Sequence, residues 1–148
     1  MSISKQYLLE QIKRSRAIDT DEMILYKDYK GSNEQWWINH NEGHKFVLDT
    51  LEKVINNYNY KKHDLLKILN KLMKKSDKET DALDKKYKYF ESNEDMSIED
   101  NKKYAYFDGI SCKCYSLKMI IQNKIYYSKD SYIKTDWSKL GFRRKDDK

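Results

Sequence analysis

Between His63 and Lys75 the apolar residues Leu65, Leu66, Leu69, Leu72 and Met73 share one side of a helical repeat, and lysines occupy the other. That spacing suits an amphipathic helix and not a strand, whose faces alternate at every residue. No proline occurs anywhere in the chain, so the strongest helix breaker is absent. A helical protein is the first expectation.

The same segment carries most of the charge. Over 61–78, Lys61, Lys62, Lys67, Lys71, Lys74, Lys75 and Lys78 are opposed only by Asp64 and Asp77, a surplus of five in a chain of formal net charge +6. Lys67, Lys71, Lys74 and Lys78 recur at spacings of four, three and four, the period of one helical face. Like charges stacked this way repel by roughly a few tenths of a kcal/mol per pair. Such a face is either solvated or receives an anion.

Other stripes extend the helical reading. Residues 4–17 form a helix with Ser4 as its cap and Leu8, Leu9 and Ile12 on one side. A short element over 20–30 opens with Thr20, Asp21 and Glu22 and closes near Gly31. Ser32 and Gln35 match a capping box ahead of Trp36, Trp37 and Ile38, and Gly43 marks a kink or break. Phe46 or Val47, Leu51, Val54, Ile55 and Tyr58 form the next stripe. Leu83, Tyr87 and Phe90 indicate a further helix around 78–91. The run 91–100 holds five acids and no base, and could neutralise the lysine helix from within the molecule; Ser97 with Asp100 could cap a helix inside it.

Residues 103–127 carry two signals. Asp108-Gly109 between aromatic and aliphatic runs reads as a hairpin turn. Ile110, Cys114, Leu117, Ile121 and Ile125, spaced by four, three, four and four, read as a long helix, which we prefer. The expected fold is therefore mainly α, a small single-domain helical bundle of five to seven helices over 1–148 with a flexible basic tail at 141–148. An α+β fold with an antiparallel meander at 103–135 is the alternative.

Length and composition bound the function. At 148 residues one domain is expected, and a chain of that size buries about 70% of its unfolded surface. A charged fraction of 36% is high, but thirteen Tyr, four Phe and three Trp supply the bulk that disordered chains lack. No segment approaches the ~20 apolar residues that span a bilayer. Glu10 follows the only early apolar pair, against a signal-peptide core. Two cysteines one residue apart provide no disulfide framework, which suits a reducing, cytoplasmic setting. Lysine, Asn, Ile and Tyr abound, as in AT-rich genomes such as those of low-GC bacteria and their phages.

Catalytic signatures are weak. His40 and His44 lie four apart and could chelate a metal together with Cys112 and Cys114. Glu42 does not stand where an H-E-x-x-H pattern requires it, and two thiols of a Cys-x-Cys on a helix diverge by about 200°. Surface histidines and buried, inert thiols are the simpler reading, so neither a metal, a cofactor nor an enzyme is expected. The four glycines are scattered and form no phosphate loop.

Binding is the stronger expectation. Adjacent Trp36 and Trp37 diverge by about 100° on a helix, so one is partly exposed, and tryptophan is favoured at binding hot spots. The basic face and the terminal Arg143 and Arg144 could contact phosphates, although no base-reading motif accompanies them. The sequence thus suggests a non-enzymatic binding protein, of a phage-type accessory or inhibitor kind, that docks a protein or nucleoprotein complex and no membrane. Its candidate contacts are Lys67, Lys71, Lys74, Lys75, Lys78, Trp36, Trp37, Arg143 and Arg144. Direct, non-specific binding to a nucleic-acid backbone is the alternative.

Overall fold

Helices begin where short polar side chains can take up free backbone N–H groups. In the computed structural model, which describes residues 3–31, 34–87 and 96–147, Ser4 accepts from the Tyr7 N–H at 3.3 Å and opens α1 (Lys5–Asp28). The Asp64 carboxylate accepts from the Lys61 N–H at 2.8 Å at the start of α3 (Lys62–Lys86). Ser97 accepts from the Asp100 N–H at 3.1 Å and opens α4 (Ile98–Ile121). The remaining long helix, α2, spans Glu34–Asn57; Ser32 of its expected capping box lies outside the described residues, as does Phe90.

The class is mainly α, but with four long helices among the described residues and not five to seven. Two expected boundaries are helix interior. The chain stays helical through 17–20 and 75–78, and polar residues beside these points have tertiary partners. Asp21 accepts from both the backbone N–H and the hydroxyl of Thr135, and Asp77 accepts from the Ser111 hydroxyl at 2.8 Å. Ser76 is buried. With neither Gly nor Pro at these points, nothing halts the backbone.

The meander at 103–135 is likewise not formed. Asp108-Gly109 sits inside α4, and the described residues contain no strand, only an isolated bridge between Tyr29 and Arg144. Ile110, Cys114, Leu117 and Ile121 are buried as a helical stripe, while Ile125 falls beyond the helix end and is exposed.

Contacts fix the helix directions. Arg16 pairs with Glu52, Asp19 with His44, and Tyr26 stacks on Trp37, so α1 and α2 are antiparallel. Asp77 with Ser111 and Lys86 with Asp100 make α3 antiparallel to α4. His40 meets Asp108 and Gly43 meets Gly109 and Ile110, so α2 and α4 run parallel. The apolar core joins Leu8, Ile12, Leu51, Ile55, Leu65, Leu69, Leu117 and Ile121, at the end of the bundle where α1 and α3 begin.

Gly43 does not kink α2. Both it and Gly109 are points where two backbones touch: a Cβ on Gly43 would collide with the Tyr106 carbonyl, and one on Gly109 with the His40 carbonyl. Their missing side chains let α2 and α4 approach more closely than larger residues allow.

After α4 the chain runs back along α1 through two 3-10 turns, Lys129–Tyr132 and Trp137–Leu140. Gln11 and Arg14 hold the Tyr127 backbone, Tyr132 donates to Glu10, and Thr135 meets Asp21. Residues 141–147, read from sequence as a flexible tail, bond to the end of α1: the Lys30 N–H donates to the Arg143 carbonyl at 2.6 Å and the Lys145 N–H to the Asp28 carbonyl at 2.8 Å. No helix among the described residues is long and apolar enough to cross a membrane.

Candidate functional site

Two features stand out: a cationic ridge on α3 and a polar cluster where α1, α2 and α4 meet. The ridge follows from amphipathicity. Leu65 and Leu69 are buried against the core, which turns Lys67, Lys71, Lys74, Lys75 and Lys78 to solvent. Among the described residues none of these five takes part in an ion pair. The acidic run does reach α3, but at the helix end: Asp100 pairs with Lys86 at 2.8 Å and accepts from the Tyr87 hydroxyl at 2.6 Å. Glu91, Glu94 and Asp95 lie outside the described residues. From Lys67 to Lys78 the ridge extends about 16 Å at the helical rise.

The tryptophans occupy a different helix, and α3 packs chiefly on α4. Trp36 is half-buried and Trp37 is 37% exposed, so neither ring is sealed in the core. Both rings belong to an aromatic column. Tyr26 stacks on Trp37 at 5.6 Å, Trp37 meets Trp36 edge-on at 4.7 Å, Trp36 stacks on His40 at 4.9 Å, and His40 meets His44 edge-on at 4.7 Å. Arg143 and Arg144 lie at the end of α1. The Arg144 guanidinium pairs with Asp146 at 3.2 Å and covers the Tyr29 ring.

The polar cluster arises because the buried stripe of α1 changes character along its length. Leu8 and Ile12 are followed, at the same spacing, by Ser15, Asp19 and Glu22. The α4 stripe carries Lys113 beside Cys114, and its buried ammonium donates to Ser15 Oγ at 2.6 Å and lies 3.3 Å from Asp19. Asp19 also meets His44 Nδ1 at 3.2 Å. Burial outweighs that carboxylate and lowers the His44 pKa, so the ring is neutral at neutral pH. Burial and then the neighbouring Asp19 raise the Glu22 carboxyl above its ordinary value. A groove of about 260 Å³ between α1 and α2, lined by Arg16, Asp19 and Lys45 among others, opens beside this network.

Next to it, His40 Nε2 lies 3.0 Å from Asp108 Oδ2, and the Cys112 thiol donates to the same oxygen at 3.8 Å. The four-residue chelate set weighed from sequence is not assembled. His40 and Cys112 come together, but with Asp108; His44 is held by Asp19, and Cys114 is sealed in the apolar core. Burial, and then Asp108, push the Cys112 thiol up to about 11, and burial pushes Cys114 up to about 12. Both are protonated at neutral pH and poor nucleophiles.

Sequence reasoning missed Ser15, Asp19, Asp108 and Lys113. The available signal was a polar residue at each stripe position of α1 after Ile12, and a lysine inside the apolar stripe of α4. No protein-family model, curated protein or solved structure matches this chain.

Proposed function

We propose that the protein is a non-enzymatic binding protein whose α3 ridge docks an anionic surface of a protein or nucleoprotein partner. One observation carries this reading: Lys67, Lys71, Lys74, Lys75 and Lys78 are all exposed on one helix with no ion-pair partner among the described residues. Lysines in such a row attract polyanions over a Debye length of about 8 Å at physiological salt. The contact surface centres on the lysines, because the rings of Trp36 and Trp37 and the guanidinium of Arg144 are largely engaged within the molecule.

A protein or nucleoprotein surface is favoured over bare nucleic acid. Helix α3 offers no arginine for bidentate phosphate contacts and no Phe, Tyr or Trp ring for base stacking. The test compares the native chain with the variant K67Q/K71Q/K74Q/K78Q. Partner capture from lysate of the native host that is lost with the variant supports the reading. Oligonucleotide binding at ~50 mM salt, falling steeply with salt and abolished in the variant, would assign the ridge to nucleic acid instead. Capture that the variant leaves unchanged overturns both.

A further inference from the structure

We propose that His40, Asp108 and Cys112 form a three-ligand site for a zinc-class divalent cation at the edge of the α2–α4 contact. Their donor atoms all lie within 4.8 Å of one another. Two of the separations are 3.0 Å, from His40 Nε2 to Asp108 Oδ2, and 3.8 Å, from Cys112 Sγ to that oxygen. In a tetrahedral zinc site with metal–ligand bonds of about 2.0–2.3 Å, neighbouring ligand atoms stand roughly 3.2–3.8 Å apart. The three side chains therefore need only small adjustments to close on one ion.

The fold holds these donors in place. Asp108 and Cys112 are one turn apart on α4 and share a face. Gly109 brings the α2 backbone at His40 against α4, which a side chain at that position would prevent. The His40 ring is clamped by Trp36 at 4.9 Å and by Trp37 at 5.3 Å, so its orientation is set before any ion arrives. Lys113, next in sequence, points to Ser15 and Asp19.

The donor set selects the ion. A thiolate with an imidazole and one carboxylate suits borderline-soft zinc and not oxygen-seeking magnesium or calcium. Cys112 is exposed and the Asp108 side chain is 37% exposed, so the ion enters from solvent and a water takes the fourth position. Coordination displaces the thiol proton to solvent. With Nε2 on the ion, the ring proton moves to His40 Nδ1, a buried atom with no hydrogen-bond partner among the described residues. Outer-shell bonds of that kind are worth about 10–100-fold in affinity, so this site exchanges its ion readily. Titration, not analysis of the metal retained on purification, is therefore the proper probe.

The experiment adds Co²⁺ to the reduced, full-length protein and follows the sulfur-to-cobalt charge-transfer absorbance. One saturable equivalent is expected, displaced by Zn²⁺. The band should disappear in Cys112→Ser, whose exposed position spares the fold, and persist in Cys114→Ser. Asp108→Asn should weaken binding at least about tenfold while leaving far-ultraviolet circular dichroism unchanged. A native protein without the band, or a band that survives Cys112→Ser, overturns the site.

Discussion

Glu22 and Gly109 show how single residues set the energetics where the three helices meet. Glu22 is raised by burial and by Asp19, so its folded pKa exceeds the unfolded value. Folding then favours the protonated form: ionised Glu22 costs stability above its folded pKa and nothing below the unfolded one, near 4.5. Glu22→Gln is expected to raise Tm at pH 7 by roughly 2–4 °C per kcal/mol relieved, with the gain vanishing near pH 4. Calorimetry across that range checks it, and a gain that persists at pH 4 would refute the electrostatic cause. Gly109→Ala has no such remedy, because its methyl meets the His40 backbone and not a flexible side chain. A loss of about 3 kcal/mol is expected in urea unfolding, and a loss below about 1 kcal/mol would mean that α2 and α4 separate without penalty.

At the scale of an element, α3 is built for two surroundings. Its buried edge is needed for folding, and its lysine edge is dispensable to it. Lys67, Lys71, Lys74 and Lys78 repel one another at helical spacings, so K67Q/K71Q/K74Q/K78Q should leave stability unchanged or raise it by up to about 1 kcal/mol. The gain should shrink as salt rises, because salt already screens the repulsion. A marked loss of stability in urea unfolding would show instead that the lysines hold the fold together. The length of α3 was not legible in sequence. The stripe at 63–75 and the one around 78–91 read as separate helices, whereas the backbone continues through Ser76 and Asp77, with Ser111 of α4 bonded to Asp77.

The whole molecule is closed by the segment after α4. Tyr127, Tyr132, Thr135, Arg143 and Lys145 all bond to α1 or the residues just after it. Deleting 128–148 should preserve most helicity, since the apolar core lies in α1–α4, yet lower Tm by several degrees and speed hydrogen exchange along α1. Unchanged exchange in α1 would show that the segment merely rests on it. By itself, the sequence determined the mainly helical class, the caps at Ser4 and Ser97, the buried stripe of α4 and the lysine edge of α3. Each of these follows from local period and capping chemistry. The number of helices, the roles of Gly43 and Gly109, and the meeting of His40 with Asp108 and Cys112 were decided only in three dimensions. Those depend on which backbones touch, and residues 68 positions apart in the chain leave no periodic trace of that contact.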